Sequence, residues 1–160
     1  MVEFALSSVV LLLLVGGLVD IGRAEFISEA LSNAAREGAR HGVWFDAPTQ
    51  SHPYLNDIQI QTAVDTELAT ISIPGSVLKH LTTDSLASCP GNAFHNPPYA
   101  SSAYPSTSNQ PWLYICYDPI QRDLNVIVLY EYGPLTPIIS SQFGLFRLAA
   151  NEHMTVQGSG

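Results

Sequence analysis

The most constraining feature of this 160-residue chain is an uninterrupted run of uncharged residues near its start, from Phe4 to Val19. The centre of the run, from Val9 to Val15, contains only valine and leucine. A helix that is apolar on every side needs lipid or protein around its whole circumference. The run has 16 residues, just short of the roughly 17 that usually cross a bilayer core, and it therefore resembles a short membrane anchor.

Charged residues return at Asp20 with helical spacing, and no proline interrupts the chain from Glu3 to Arg40. We therefore expect one helix of about 60 Å, twice the thickness of a bilayer core. Its lower half (Phe4–Val19) is apolar, whereas its upper half (Asp20–Gly42) is amphipathic. The helix should end near Gly42, because glycine commonly follows the last helical residue. The apolar stripe of the upper half consists of Ala24, Ile27, Leu31, Ala34 and Gly38.

Glu3 places a carboxylate at the threshold of the apolar run. A carboxylate carried into lipid is costly unless a cation meets it, such as the free amino terminus of a neighbouring copy. Alternatively, Glu3 lies at the membrane surface and only complements the positive end of the helix dipole.

Three segments of this helix resemble the amino-terminal helix of the TadE-like pilin family, in the tight-adherence (Flp) branch of the type IV pilin superfamily. These segments are VEFAL, DIGRA and ALSNAAREGAR. The stretch YGPLTPIIS and the final strand are similar to that family's carboxy-terminal half, over roughly residues 124–156. The middle of the chain, about 44–121, carries no such resemblance.

The resemblance implies a structural subunit that is stored in the inner membrane and trimmed by a prepilin peptidase. The pilus assembly machinery then extracts it into an extracellular helical filament of its own copies, with a role in adhesion or surface attachment. The glutamate of the family pairs with the amino terminus of an adjacent subunit, and Glu3 matches it by motif. Glu3 stands two positions nearer the start than the family's glutamate, which implies two residues ahead of Met1 or different processing.

The candidate assembly residues all lie on this first helix, and several carry charge. Arg23, Arg36 and Arg40 could pair with Glu25, Glu29 and Glu37 between copies, or within one helix, as Glu37 could with Arg40. The full set is Glu3, Phe4, Leu11, Leu14, Arg23, Leu31, Ala34, Arg36, Gly38 and Arg40.

Residues 1–42 are thus predicted to form an assembly and transmembrane helix, and residues 43–160 an extracellular globular domain. The domain is long enough to bury its own core. The chain carries a formal charge of −8, which argues against nucleic acid or anionic lipid as a partner.

The domain is predicted to have an α+β fold with an antiparallel sheet and a packing helix. That helix should start at Asn56 or Asp57, lie across the sheet and bury Ile60, Val64, Leu68 and Ile71. Strands are expected at 112–117, 124–132 and 145–156, with Val126, Val128, Tyr130 and Tyr132 on one face of the second. A short helix should follow Thr136, which would cap it.

Cys89 and Cys116, the only cysteines, bracket a proline-rich segment without periodicity. In an extracellular protein the natural reading is a disulfide that pins this long loop. The alternative is two unpaired buried thiols. A metal site is less favoured, since there is no CxxC motif and the five histidines have no ligand spacing.

The sequence contains no recognisable catalytic motif, so we expect neither an enzyme nor a cofactor. Five aromatic residues surround the loop and either bind a sugar or a surface, or belong to the core of the sheet. They are Tyr99, Tyr104, Trp112, Tyr114 and Tyr117. A second functional hypothesis follows: a membrane-anchored binding module for a carbohydrate or protein that never polymerises.

Overall fold

The computed structural model describes residues 2–44, 56–90, 97–105, 109–136, 140–141 and 144–156. Its first element, α1, runs from Val2 to Gly42 as one uninterrupted helix that includes both Gly16 and Gly17. The predicted single helix and its end at Gly42 are therefore confirmed. The second helix, α2, spans Asp57–Thr70, and the side chain of Asn56 caps it by accepting the Ile58 N–H at 3.1 Å.

A four-stranded sheet follows, with strand order β1-β2-β3-β4. The strands are β1 (Val77–His80), β2 (Trp112–Asp118), β3 (Asp123–Tyr132) and β4 (Phe146–Thr155). The three predicted strands form an antiparallel meander, which confirms the α+β fold. The sequence missed β1, which pairs parallel to β2 and is only four residues long, too short for its pattern to be recognised.

One face of the sheet is covered mainly by the upper half of α1, which lies over β3 and β4 with α2 beside it. Ile60, Val64 and Leu68 of α2 are fully buried, as predicted. The prediction placed only α2 across the sheet, whereas α1 occupies much of that position. The small residues of α1 explain the difference, because they let its backbone approach the strands closely. The core on this face includes Leu31, Ala34, Ala35, Leu113, Ile115, Val126 and Val128.

The opposite face of the sheet is covered by the loop that the disulfide holds. Cys89 and Cys116 are bonded, with an S–S distance of 2.01 Å, which confirms the predicted pairing. Cys89, Tyr99 and Tyr104 pack on this face against Ile127 and Leu129. Because β3 is apolar on both faces, each face needs a covering layer. The upper half of α1 covers one face, and this loop covers the other.

The loop aromatics belong mostly to this core. Tyr99, Tyr104 and Tyr114 are buried, and the Tyr114 hydroxyl donates to the Ala103 carbonyl at 2.9 Å. Burial raises the pKa of Tyr99 to about 12. The core interpretation of these three tyrosines is thus confirmed. A short helix was predicted after Thr136. Most of its predicted range, residues 137–139 and 142–143, lies outside the described residues.

Candidate assembly surface

The lower half of α1 is exposed over most of its surface, and among its described residues only Ser8, Gly16 and Gly17 are half-buried. From Val9 to Val15 every side chain is exposed, from 38% for Leu13 to 70% for Leu12. The range includes the predicted assembly residues Leu11 and Leu14, and a third, Phe4, is also exposed. Within the described part of the chain, α1 is the helix whose length and apolar composition would suffice to cross a membrane. So large an exposed apolar surface marks a region that contacts lipid or protein.

Glu3 lies in the first turn of α1, where it is exposed. There its carboxylate is close to the unpaired N–H groups and the positive end of the helix dipole. The position suits either interpretation of Glu3, because an exposed carboxylate at the end of the rod is accessible to a cation from another copy.

The upper half of α1 has a different environment. Leu31 and Ala34 are fully buried, and Gly38 is covered by α2 and β3. A Cβ built on Gly38 would lie 2.6 Å from Val64 Cγ2 and 3.4 Å from Val126 Cγ1. The absent side chain of Gly38 therefore lets α2 and β3 pack closely against α1 within one chain. In this fold the chain's own core covers Leu31, Ala34 and Gly38, and their predicted assembly role stays a prediction.

The three arginines of α1 each have a partner within the chain. Arg40 Nη2 lies 3.0 Å from Glu37 Oε1, the pairing within one helix that was the alternative to pairing between copies. Arg36 Nη2 lies 3.6 Å from Glu152 Oε1 on β4. The Arg23 guanidinium lies over the ring of Tyr132, 5.6 Å from its centroid. All three arginines remain exposed and could still meet a second copy.

Asp20, at the boundary between the two halves, holds the segment that follows β3. Its Oδ1 accepts the Leu135 N–H at 2.8 Å, and its Oδ2 accepts the Thr136 N–H at 3.0 Å. The Tyr132 hydroxyl donates to Oδ1 at 3.4 Å. Only 2% of Asp20 is exposed. The carboxylate thus fastens the globular part to the helix at the point where the apolar run ends.

We call the hydrogen bonds from the Leu135 and Thr136 N–H groups to Asp20 the clamp, and part of it is readable in the sequence. Gly16 lies one turn below Asp20 on the same face of the helix. A Cβ on Gly16 would come within 3.1 Å of Thr136 Oγ1, so the absent side chain lets the segment lie against α1. A glycine and a carboxylate four residues apart indicate a close approach, but they do not identify the approaching segment.

His80, Cys89 and Cys116 converge on the far side of the molecule, with ligand atoms within 4.8 Å of one another. Metal ligation by cysteine requires a thiolate, and the two sulfur atoms are bonded to each other instead. Burial lowers the pKa of His80, against the opposing effect of Asp84, whose Oδ2 lies 3.5 Å from Nδ1. This group is therefore a buried structural cluster in the disulfide-bonded protein.

An open groove of about 420 Å³ lies between the end of α1 and α2. Its lining includes Glu37, His41 and Glu67 together with the indole of Trp44, which is 66% exposed. The α1 residues that line it, Glu37 and His41, lie roughly 26–32 Å along the helix from Asp20.

Residues 1–40 match the family model described as TadE-like protein. The match spans a quarter of the chain and coincides with α1, so the resemblance to TadE-like proteins is confirmed there. Over this quarter of the chain, the similarity is to a family associated with the Tad pilus. Neither the curated proteins nor the solved structures contain a significant match to the chain.

Proposed function

We propose that the chain is a structural subunit of an extracellular Tad-like pilus and polymerises through the lower half of α1. The observation that carries the proposal is the exposure of this half over most of its surface while the rest of the protein has a complete core of its own. This apolar surface stays uncovered in the folded chain. Its residues lie within the range 1–40 that matches the family model.

Before assembly, the lower half lies in the inner membrane and the globular part lies outside it. Moving an apolar helix from lipid to a bundle of similar helices gives little hydrophobic gain, because lipid tails are as apolar as leucine. Polymerisation therefore depends on tight packing and on machinery that extracts the subunit. The family resemblance supplies both a prepilin peptidase and an assembly machinery as partners.

In the filament, Phe4, Leu11 and Leu14 contact the lower halves of other copies, and Glu3 pairs with the amino terminus of an adjacent one. Above them, Arg23, Arg36 and Arg40 lie on the exposed side of α1 and can meet carboxylates of neighbouring subunits. The acidic globular parts coat the outside of the filament, where they are available for surface attachment.

The alternative is a membrane-anchored binding module that never polymerises. The buried state of Tyr99, Tyr104 and Tyr114 removes most of its predicted ligand patch and leaves the groove beside Trp44 as the place for a ligand. Both functions share the membrane anchor and differ in whether copies assemble.

Electron microscopy of surface filaments, with the subunit identified by mass spectrometry, distinguishes the two functions. We expect filaments in cells that express the chain with its assembly machinery, and fewer filaments for Glu3→Ala. Glu3→Asp, which keeps the negative charge, is the matched control and should retain more assembly.

Both variants should leave the globular part folded, as circular dichroism would show. Recovery of the chain only as a detergent-soluble monomer would reject the filament and favour the anchored module. Unchanged filament yield for Glu3→Ala would remove the pairing role of that carboxylate while leaving the subunit function in place.

A further inference from the structure

Five exposed apolar side chains lie around α1 at the level of Asp20, and we call them the collar. Leu18 and Ile21 belong to α1, Leu135 follows β3, Leu145 precedes β4 and Phe146 begins it. Their common level is fixed by contacts. Leu135 donates its N–H to Asp20, and Phe146 pairs with Tyr132, whose hydroxyl also reaches Asp20. Leu145 lies beside Gly133, 3.5 Å from where a Cβ would stand.

The apolar lower half of α1 is too short to cross the hydrocarbon core of a bilayer. The collar lies at the level where this half ends. The lower half spans about 24 Å at 1.5 Å per residue, whereas the hydrocarbon core of a bilayer is about 30 Å thick. The missing length corresponds to roughly four more residues, which carries the bilayer core from Val19 to about Arg23. Asp20 falls within this interval, and so does the collar.

The structure removes the obstacle that Asp20 presents to lipid contact. A bare carboxylate within a membrane helix is strongly unfavourable. Here two backbone N–H groups and the Tyr132 hydroxyl surround the carboxylate, and the segment of Leu135 and Thr136 covers it. Among the described residues, the exposed side chains at this level include the five apolar ones of the collar.

The residues just above the collar have the composition typical of a membrane interface. Arg23, Arg147 and the ring of Phe26 are exposed, and the Arg23 guanidinium lies over the buried ring of Tyr132. Aromatic residues and arginines concentrate at the level of lipid headgroups. Glu131, the nearest acidic residue of the sheet, is paired with Arg147 at 3.2 Å. Within the sheet, the carboxylate nearest the collar is therefore paired with a cation.

We propose that the collar is immersed in the outer boundary of the bilayer while the subunit is stored in the membrane. The collar then supplies apolar surface over the part of the bilayer core that the lower half of α1 is too short to reach. Its occupant is the lipid surface, to which the collar is joined by the continuous apolar surface of α1. This inference rests on the membrane-stored state in the proposed function.

Fluorescence quenching in vesicles of phosphatidylcholine and phosphatidylethanolamine tests the proposal. Leu135→Trp places an indole in the collar and keeps the backbone N–H that Asp20 accepts. The lipids carry bromine near the carbonyl end of their acyl chains, and the emission of Trp44 and Trp112 in the unsubstituted chain is subtracted. We expect Leu135→Trp to lose emission strongly, and Leu145→Trp to behave in the same way.

Two matched variants provide the reference levels. Leu12→Trp lies in the middle of the lower half and should be quenched best by bromine near the methyl end of the chains. Ile120→Trp lies in the exposed turn between β2 and β3, at the end of the sheet that adjoins Gly42, and should lose no emission. Circular dichroism verifies that each variant is folded.

The possible outcomes separate this inference from the proposed function. Quenching at Leu12 with none at Leu135 or Leu145 overturns the collar and leaves the anchored subunit intact. No quenching at any position overturns both the collar and the membrane-stored state. A blue shift at Leu135 without bromine quenching, appearing only at high protein content, would assign the collar to a second copy and overturn the lipid contact. Quenching at Leu135 in a chain that forms no filaments would support the collar and reject polymerisation.

Discussion

The two halves of α1 belong to one helix but have opposite surroundings. From Val9 to Val15 the side chains are exposed, whereas Leu31, Ala34 and Ala35 of the upper half are fully buried. The difference follows from side-chain size. Large aliphatic residues surround the lower half, whereas the upper half has one stripe of small residues that lets α2 and the sheet approach. The same helix is thus a core element at one end and an unoccupied contact surface at the other.

The comparison predicts that replacing a leucine by alanine changes the free energy of unfolding unequally in the two halves. The largest effect is expected at Leu31. Leu31→Ala creates a cavity in the core and should lower the free energy of unfolding of the globular part by about 2–5 kcal/mol. Leu12→Ala, the same change in the lower half, should shift it by less than about 0.5 kcal/mol. Urea denaturation in detergent, followed by near-ultraviolet circular dichroism, measures both. Equal effects would show that the two halves do not have separate roles.

Removal of the disulfide should lower the stability of the globular part, whose core includes the upper half of α1. It should leave the lower half unaffected. The bond joins cysteines 27 positions apart, and a closed loop of that size contributes roughly 3 kcal/mol in the chain-entropy model. The double change Cys89→Ser and Cys116→Ser should lower the free energy of unfolding by about this amount. Membrane insertion of Leu12→Trp in the same background should be unchanged. Failure to insert would mean that the lower half depends on the folded domain.

Asp20 marks the boundary, and its removal should separate the globular part locally from the helix. Asp20→Ala leaves the Leu135 and Thr136 N–H groups without their acceptor, at a cost of about 1–3 kcal/mol. Hydrogen exchange of these two amides should accelerate, while core amides of β3 change little. Glu29→Ala, an exposed carboxylate on the same helix, is the control. Unaltered exchange at Leu135 and Thr136 would contradict the clamp.

The smallest expected effect is a pH dependence confined to the globular part. Because burial lowers the pKa of His80 below its ordinary value of 6.5, the unfolded chain takes up its proton at a higher pH than the folded one. Stability from His80 is therefore complete above pH 6.5 and decreases as the pH falls towards the lowered pKa. The slope should be at most about 1.4 kcal/mol per pH unit, and His80→Gln should remove this component. A slope that is the same in both proteins would exclude His80 as its origin.

The sequence predicted the elements whose patterns are long and local. The length of α1, its end at Gly42, the buried face of α2 and three strands are readable because periodicity repeats over many residues. The strand β1 was missed, because four residues carry too little pattern and its pairing with β2 depends on a distant segment. The candidate site was readable in part. The exposed lower half follows from its composition, whereas the burial of Leu31, Ala34 and Gly38 depends on what covers them.

By itself the sequence determined that a long rod with an apolar lower half begins this protein, since sixteen uncharged residues in a row leave few alternatives. It also favoured the disulfide over two unpaired thiols, because its only two cysteines bracket the long loop, and the structure confirmed the bond. Only the tertiary structure decided that the small residues of the rod serve the chain's own core and that Asp20 binds the segment after β3. Both results depend on which distant segments meet, and an apolar or charged side chain does not specify its partner.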